Sequence, residues 1–443
     1  MAMPRLLSTA AQPLADRLRQ AEQPVRLIGH YDCDGLTSSA ILARALQRCG
    51  LRFHLTNVVA LTPDVIDQLN SEVPALVLFS DLGSGYPDLL AQLKTSALVV
   101  DHHLPQGETP PNVLELNAHK AGIDGNREAS AASLAFALAL ILDEANRDLA
   151  PIALAGAWGD RMYLDGLVGW NRMIADMAVD DKYLNSINRL PLTGETLADA
   201  LASSLEPYLL GVSGNPAATA EVLQDLGFDP AIALGELDVE GTALLADWLA
   251  LKLLEQGAGK QQRTQLFAPQ LDLPRWGCSV EELATMTDAC GRLDDTSTGI
   301  AMLLGSPSGR ERAEAYVREH REQLLEQLAC VEFERGRAIQ HFRGDNAALK
   351  GTICTLALGY FLDRSLPAIG LAPRDGKLIA SSRAAPQLVA QGLSLAEVMA
   401  QAASACGGQG GGHAQAAGAS LPLEKGNEFI DEVDQLVAER LGL

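Results

Sequence analysis

A short apolar segment, Val99-Val100, runs directly into three consecutive polar residues, Asp101, His102 and His103. The apolar segment has the character of a buried strand, so the three polar side chains follow the end of that strand. Burying a carboxylate beside two imidazoles is costly unless a cation or a hydrogen-bond network compensates for the lost hydration. We therefore expect partners for these residues elsewhere in the chain.

Three other segments place acidic residues directly after an apolar run. Residues 25–29 precede His30, Asp32 and Asp34, residues 75–80 precede Asp81, and the Ala-rich residues 149–159 precede Asp160. The carboxyl ends of parallel strands open onto one crevice of an α/β sheet, so we expect these side chains to converge. A single aspartate in a loop is more often a turn former or a helix cap. Four such groups together predict a site for two metal ions.

Short apolar runs alternate with helical segments through the first part of the chain. This pattern predicts an α/β fold with a doubly wound, mostly parallel sheet in a domain of residues 1–165. Helical runs separated by Gly and Pro predict an α-rich insertion of unassigned role at 166–271. Residues 272–345 form a connecting segment with one long helix over 311–337. Residues 346–443 predict a smaller α/β domain with strands at 353–358, 368–372 and 377–382 and a helix at 395–405.

The composition narrows the classes of function. The 443 residues carry a formal net charge of −22, which argues against a broad nucleic-acid-binding surface but not against a narrow basic channel. Seven cysteines without Cys-x-x-Cys spacing predict reduced thiols rather than disulfides or a zinc knuckle. The chain lacks an apolar run of the roughly 18 residues that a membrane span needs, and its N-terminus lacks the features of a signal peptide. We therefore expect a cytoplasmic protein without membrane contact.

The motifs together resemble a known family. Four of them are similar to the successive motifs of the DHH phosphoesterase superfamily: His30-Tyr31-Asp32-Cys33-Asp34-Gly35, Asp81, Asp101-His102-His103 and Asp160. Gly410-Gly411-Gly412-His413 with Ala416-Ala417-Gly418 resembles the DHH-associated C-terminal domain. Within the superfamily the chain resembles the RecJ-like single-strand exonucleases, in particular the archaeal branch that includes the GINS-associated nuclease. Further RecJ-like signatures are similar to Asn117, residues 122–125, Ser130 and residues 288–292.

The resemblance implies two Mn²⁺ or Mg²⁺ ions, which agrees with a ligand set rich in carboxylates. It assigns His30 and Asp32 to one ion, Asp34, His102 and Asp160 to the other, and Asp81 to both. It further implies that Asp101 orients a ligand histidine and that His103 contacts the phosphate. The implied catalytic residues are Asp34, Asp81, Asp101, His102 and His103.

The resemblance also implies a set of substrate-binding residues. They are Arg292, Arg383, Gly410, Gly411, Gly412 and His413. On a glycine-rich turn, the exposed backbone N–H groups of the three glycines can form an anion site. For Arg383 the alternative interpretation is a surface salt bridge.

Three functions agree with these features. The first is a metal-dependent phosphodiesterase that acts as a single-strand exonuclease on DNA, RNA or both, in DNA repair and replication. The second, from the same superfamily, is a phosphodiesterase for short oligoribonucleotides or cyclic dinucleotides. The third is a scaffold that binds GINS-like proteins in a replication complex. The complete set of motif acids argues against an inactive scaffold, but not against an active nuclease that also binds such proteins.

Overall fold

Five parallel strands form the sheet that carries the predicted motifs in the computed structural model of this protein. They lie in the order β2-β1-β3-β4-β5, where the strands are β1 (Val25–His30), β2 (Phe53–Val58), β3 (Leu76–Ser80), β4 (Ala97–Asp101) and β5 (Val113–Asn117). The strand order reverses direction next to β1, and such a point opens a crevice beyond the carboxyl ends of the strands. The predicted doubly wound α/β sheet is confirmed.

The structure describes residues 3–21, 24–164 and 166–443, so the predicted domain boundary at Asp165 lies outside the described residues. Both faces of the sheet are covered, because neighbouring residues of each central strand are apolar and point to opposite sides. Leu78 belongs to the core on one face, whereas Val77 and Phe79 belong to the core on the other. The helices of this region are α1 (Arg5–Arg19), α2 (Cys33–Arg48), α3 (Pro63–Glu72), α4 (Pro87–Leu90), α5 (Ala131–Leu142), α6 (Ala150–Gly159) and α7 (Gly169–Asp180).

The described residues divide into two units. The first contains Met1–Ile187 and Pro269–Arg318, and the second contains Asn188–Ala268 and Glu319–Leu443. Helices dominate residues 166–271, as predicted, although the short strand β6 (Asn185–Ile187) lies among them. The helices in the part that belongs to the second unit are α8 (Leu197–Ala202), α9 (Pro216–Leu226), α10 (Val239–Glu255) and α11 (Lys260–Gln265).

The rest of the first unit adds a small antiparallel sheet and further helices. Strand β6 pairs with β7 (Gln270–Leu273), which pairs with β8 (Cys278–Ser279). Ser279 caps α12 (Val280–Arg292), and α13 (Thr296–Leu303) follows. The next helix, α14 (Pro307–Cys330), begins in the first unit and continues past Arg318 into residues of the second. The predicted helix over 311–337 is therefore too long at its C-terminal end, because the chain leaves the helix after Cys330 to form a short strand.

A six-stranded sheet lies in the second unit. Its six strands lie in the order β13-β14-β12-β11-β10-β9, and they are β9 (Glu334–Arg335), β10 (Gln340–Arg343), β11 (Ala368–Arg374), β12 (Lys377–Arg383), β13 (Gln409–Gly412) and β14 (Ala416–Pro422). The accompanying helices are α15 (Lys350–Tyr360), α16 (Pro386–Ala390), α17 (Leu395–Ala405) and α18 (Gly426–Leu441).

The strand predicted at 353–358 is wrong, because these residues lie in α15. Their run of apolar residues is short, and periodicity alone does not distinguish a short buried strand from a buried helix segment. Ile353, Cys354, Leu356 and Ala357 are buried in the helix. The strands predicted at 368–372 and 377–382 and the helix predicted at 395–405 agree with β11, β12 and α17.

In the part of the chain that the structure describes, the helices are too short or too polar to cross a lipid bilayer.

Candidate metal centre

The first group of candidate ligands follows β1. His30 is the last residue of β1, and Asp32 is the N-cap of α2, where its Oδ1 accepts a hydrogen bond of 3.0 Å from the N–H of Gly35. The other carboxylate oxygen, Oδ2, lies 2.9 Å from Nδ1 of His30. A Cβ atom on Gly35 would lie 2.5 Å from the backbone of His30, so this tight turn requires glycine. The turn thereby brings the carboxylate of Asp32 to the imidazole of His30.

Asp81 lies between His30 and a second histidine. It follows β3 directly and has a left-handed backbone with φ 61°, a conformation that non-glycine residues adopt rarely and that often marks functional sites. Its side chain is 2% exposed, its Oδ2 lies 3.3 Å from Nδ1 of His30, and its Oδ1 lies 3.5 Å from Nε2 of His102. Asp81 therefore directs one carboxylate oxygen toward each histidine.

The second group of candidate ligands surrounds His102. Its Nε2 lies 3.2 Å from Oδ2 of Asp160, at the end of α6, and 3.7 Å from Oδ2 of Asp34, in the first turn of α2. The carboxylate of Asp34 accepts hydrogen bonds of 2.6 and 2.9 Å from the N–H groups of Ala131 and Ala132 at the N-terminus of α5. The positive end of that helix helps to hold the Asp34 carboxylate in a fixed orientation.

Two backbone carbonyls orient the two histidines. Nε2 of His30 lies 3.1 Å from the carbonyl oxygen of Val59, and Nδ1 of His102 lies 2.6 Å from that of Gly125. A carbonyl oxygen only accepts, so these nitrogens carry the proton in the neutral rings. The remaining nitrogens, Nδ1 of His30 and Nε2 of His102, present lone pairs to the carboxylates. Histidines that bind metal ions are typically held in this way through their other nitrogen.

The donor set fits divalent cations. Nδ1 of His30 and Oδ1 of Asp81 are buried and have no hydrogen-bond partner among the described residues. Unpaired polar atoms are costly in a protein interior, and a cation between them would remove that cost. Three groups of residues could each hold an ion, because within each group the candidate ligand atoms lie within 4.8 Å of one another. The groups are His30, Asp32 and Asp81; Asp34, His102 and Asp160; and Asp81, His102 and His103. Carboxylate oxygens with some imidazole suit Mn²⁺ or Mg²⁺.

The electrostatics of the cluster are those of a cation-binding site. Burial lowers the pKa of His30, but the neighbouring carboxylates of Asp32 and Asp81 overcome this and raise it to about 11. Burial and the charge of Asp81 raise the pKa of Asp34 to about 7. Burial and the charge of Asp34 raise the pKa of Asp160 well above its ordinary value. In each case the excess of negative charge favours a bound proton, and a metal ion would neutralise the same charge in place of the proton.

Two family models match the chain. The DHH family, N-terminal domain, matches residues 24–157, and the DHHA1 domain matches residues 351–439. The chain belongs to the DHH superfamily. The predicted family is thereby confirmed. Two of the predicted site residues, Asp160 and Arg292, lie outside both matched ranges.

Relatives and solved structures agree with a RecJ-like member of the DHH superfamily. An uncharacterised protein from Methanocaldococcus jannaschii is 29% identical over 426 residues, or 94% of each chain. The single-stranded-DNA-specific exonuclease RecJ of Escherichia coli is 26% identical over 460 residues, which cover 94% of this chain and 66% of RecJ.

Among solved structures, RecJ from Thermus thermophilus in complex with Mn²⁺ matches at 21% identity and a TM-score of 0.57, over 98% of this chain and 55% of that one. CDC45 from Entamoeba histolytica matches at 13% identity and a TM-score of 0.67, over 97% and 99% of the two chains. These likenesses show the fold. The chain spans about half to two thirds of the two RecJ chains.

The first residue of the DHH triplet orients the third. Asp101 is 1% exposed, and its Oδ1 lies 2.7 Å from Nδ1 of His103, whose side chain is 55% exposed. Although burial raises the pKa of Asp101, the hydrogen bond from His103 lowers it to about 2. Asp101 thus holds the exposed imidazole of His103 rather than that of His102.

Arg292, predicted to bind substrate, ends α12 beside the first group of the DHH cluster. A Cβ atom on Gly291 would lie 2.1 Å from the carbonyl oxygen of Tyr31, so the end of α12 packs directly against the turn after β1. Nε of Arg292 donates to Oδ2 of Asp288 at 2.5 Å, one helical turn earlier. The charge of Asp288 raises the pKa of the Arg292 guanidinium above its ordinary value.

The other predicted substrate-binding residues lie in the DHHA1 domain. Arg383 ends β12 and pairs with Ala416, and Ala416 accepts a hydrogen bond of 2.8 Å from the N–H of His413. Arg383 and His413 therefore lie at the same end of the sheet. Arg383 donates to Oγ1 of Thr355 at 3.2 Å and to the carbonyl oxygen of Ser382 at 2.9 Å.

The glycine-rich turn predicted before His413 is a strand. Gly410, Gly411 and Gly412 lie in β13 and pair with β14, so part of their backbone is occupied by the sheet. A Cβ atom on Gly410 would lie 2.3 Å from the carbonyl oxygen of Met399 in α17. The glycine at this position permits a close approach of helix and strand, which explains part of the motif without a ligand.

The contacts that hold the candidate metal-binding histidines of the DHH domain were not predicted from the sequence. The carbonyls of Val59 and Gly125 have no signature in sequence, because every residue has a carbonyl group. Ser84 was also missed, although its N–H donates to Asp101 at 2.9 Å. Its position in the glycine-containing segment Asp81-Leu82-Gly83-Ser84-Gly85, three residues after a candidate metal ligand, was the available signal.

Proposed function

We propose that this protein is a phosphodiesterase, dependent on Mn²⁺ or Mg²⁺, that removes nucleotides from an end of single-stranded nucleic acid. The observation that carries the proposal is the position of Asp81. Its two buried carboxylate oxygens lie 3.3 and 3.5 Å from the ring nitrogens of two different histidines, each with further carboxylates beside it. A carboxylate shared by two cation sites would hold two ions close together, and such a pair of ions can stabilise the in-line displacement of a phosphodiester.

The residues of the two groups would hold one ion each. His30, Asp32 and Asp81 form one set of ligands, and Asp34, His102 and Asp160 form the other, with Asp81 shared. When bound, two divalent ions supply a nucleophile at neutral pH and neutralise the charge that develops on the phosphate. Cys33 is excluded as a ligand, because its thiol donates to the carbonyl oxygen of Ala155 and its burial raises the thiol pKa well above the ordinary value.

In this proposal His103 is the member of the DHH triplet that contacts the substrate. Asp101 binds Nδ1 of its ring, so Nε2 is left for a phosphate oxygen or the leaving oxygen. The hydrogen bond to the Asp101 carboxylate raises the pKa of His103, although burial opposes the shift. A protonated imidazole at this position would donate a charge-assisted hydrogen bond to the phosphate.

Arginines are proposed to bind the remaining phosphates. Arg292 lies against the turn that carries His30 and Asp32, and only its Nε is engaged by Asp288 in the hydrogen bonds of the described residues. Arg383 and His413 form the corresponding candidates in the DHHA1 domain. A few such contacts in each unit are compatible with the net charge of −22, because they do not need a broad basic surface.

The similarity to RecJ of Escherichia coli, which is named a single-stranded-DNA-specific exonuclease, supports a preference for single strands and for cleavage from an end. The test is degradation of end-labelled single-stranded DNA and RNA of several lengths with Mn²⁺. The variant Asp81→Asn removes the shared charge without changing the size of the side chain. Asp67→Asn, on the exposed side of α3, is the matched control.

We expect the wild-type protein and Asp67→Asn to release mononucleotides and Asp81→Asn to lose at least about 100-fold in rate, as for the loss of a metal ligand. Cleavage confined to the shortest oligonucleotides would favour the phosphodiesterase for small substrates. Binding of Mn²⁺ without cleavage of any substrate would contradict the nuclease and favour a scaffold in a replication complex.

A further inference from the structure

A nearly buried carboxylate lies behind the DHH triplet. Glu115, in β5, has a side chain that is 6% exposed, and its Oε2 lies 2.5 Å from Nζ of Lys120. The same oxygen accepts a hydrogen bond from the hydroxyl of Thr109, and Oε1 accepts one of 2.6 Å from the hydroxyl of Ser84. A carboxylate withdrawn from water is stable only with such compensation, so the charge of Lys120 is needed where it lies.

Ser84 connects this carboxylate to the triplet. It lies three residues after Asp81, and its hydroxyl and backbone N–H make three hydrogen bonds. The hydroxyl donates to Glu115 and accepts from Nδ2 of Asn117 at 2.9 Å, while the backbone N–H donates to Oδ2 of Asp101 at 2.9 Å. A shift of Ser84 would therefore change the positions of both Asp101 and Asn117.

Asp101 and Asn117 are the two residues that hold His103. Oδ1 of Asp101 accepts from the ring Nδ1 at 2.7 Å and from the backbone N–H of His103 at 3.2 Å. Nδ2 of Asn117 donates to the carbonyl oxygen of His103 at 2.9 Å. Both the ring and the backbone of His103 are thus fixed by residues that Ser84 connects to Glu115.

We propose that Glu115 and its counter-ion Lys120 are positioning residues that act through Ser84 on His103. This inference rests on the proposed function for the role of His103 in the reaction. Glu115 lies outside the two groups of metal ligands, so its removal should change the rate of the chemical step and leave Mn²⁺ binding intact. Lys120 acts from the outer end of the same chain of contacts, because without it the carboxylate of Glu115 would be buried without a cation.

The test is a double-mutant cycle between Glu115→Gln and His103→Ala, with kcat and KM measured on a labelled single-stranded oligonucleotide. If Glu115 acts through His103, Glu115→Gln lowers kcat by about tenfold in the wild-type background, as typical for a residue that supports an active-site group. In the His103→Ala background the same change alters kcat by less than about twofold, because coupled residues are not additive. KM and the affinity for Mn²⁺ stay unchanged.

Lys120→Met provides a second variant that keeps Glu115 in place, and we expect the same pattern from it. Glu108→Gln and Lys94→Met are matched controls, since both residues are exposed in the same unit. Unchanged thermal unfolding midpoints establish that the variants are folded. An equal loss of kcat in both backgrounds, or a loss of Mn²⁺ binding in Glu115→Gln, would overturn the proposal.

A readout without catalysis separates this inference from the proposed function. In the Mg²⁺-loaded protein, ¹⁵N spectra of histidine report which ring nitrogen carries the proton. In the wild-type protein Nδ1 of His103 should carry a proton, and Glu115→Gln and Lys120→Met should lose that preference for a proton on Nδ1 while the control variants keep it. An unchanged His103 spectrum in both variants would overturn the positioning role even if the wild-type protein cleaved no substrate. A wild-type protein with the expected spectra but no cleavage would contradict the proposed function alone.

Discussion

Nδ1 of His102 lies 2.6 Å from the carbonyl oxygen of Gly125, in a loop 23 residues further along the chain. This contact leaves Nε2 of the ring free to face Asp81 and Asp160. The loop reaches His102 only because residue 125 is glycine. A Cβ atom there would lie 2.1 Å from the carbonyl oxygen of His102 and 2.7 Å from Nε2 of His119.

Gly125→Ala should therefore weaken one of the two proposed metal sites. The added methyl group pushes the loop away, and His102 loses the partner that fixes its orientation. We expect the affinity for one Mn²⁺ ion to fall by about 10- to 100-fold, measured by isothermal titration. Gly235→Ala, where a Cβ atom meets nothing within 4 Å, should bind as the wild-type protein does, and equal affinities in the two variants would contradict the account.

Gly156→Ala, in α6, should displace the side chain of Asp34. A Cβ atom on Gly156 would lie 2.5 Å from Oδ1 of Asp34 and 2.4 Å from Cβ of Ala132. Such overpacking costs about 1–3 kcal/mol, so the free energy of unfolding in urea should fall by that amount and Mn²⁺-dependent activity should fall with it. A variant of wild-type stability and activity would show that the packing of α6 against Asp34 is looser than described.

Binding of Mn²⁺ should stabilise the fold. The cluster brings several carboxylates together, and a cation would neutralise their charge in the folded state. A ligand that binds only the folded state raises the free energy of unfolding by about 2.7 kcal/mol when its concentration is 100 times its Kd. The thermal midpoint should rise with Mn²⁺ and return to its starting value with a chelator. Asp81→Asn should lose most of this rise, and an equal rise in the variant would argue that the ion binds elsewhere.

Much of this cluster was open to prediction from the sequence, because several of its residues follow the ends of strands. His30, Asp81 and Asp101 come at the carboxyl ends of β1, β3 and β4, and the parallel order of these strands brings them together. The strand order itself was not available from the sequence, since it depends on pairings between distant segments. Asp160 was expected with them although it ends a helix rather than a strand.

The errors have physical causes. Residues 353–358 are a short apolar run, which suits a buried strand and a buried helix equally. The Gly-rich residues before His413 suggested a turn, but Gly410 is required by the close approach of α17 to β13. The role of Glu115 could not be read from its position in a strand, because its partners Ser84 and Lys120 meet it only in the folded chain.

Asp295, outside the candidate metal centre, should make the stability of the protein depend on pH. Its carboxylate accepts hydrogen bonds from Tyr316, Ser297 and Thr298, and these outweigh the opposing effect of burial and lower its pKa from 3.8 to about 2. A carboxylate whose pKa is lower in the folded state stabilises the protein above about pH 4, and this stabilisation is lost as the pH falls toward 2.

Asp295→Asn should consequently be less stable than the wild-type protein at neutral pH, and the difference should shrink as the pH falls below 4. Urea unfolding at a series of pH values measures this. A difference that stays constant with pH would show that the charge of Asp295 contributes nothing to stability.

The most direct test of the two-metal account is the anomalous scattering of a crystal grown with Mn²⁺. Two peaks are predicted, one among His30, Asp32 and Asp81 and the other among Asp34, His102 and Asp160, with Asp81 between them. A single peak away from Asp81, or no peak at Mn²⁺ concentrations that saturate binding in solution, would contradict the account.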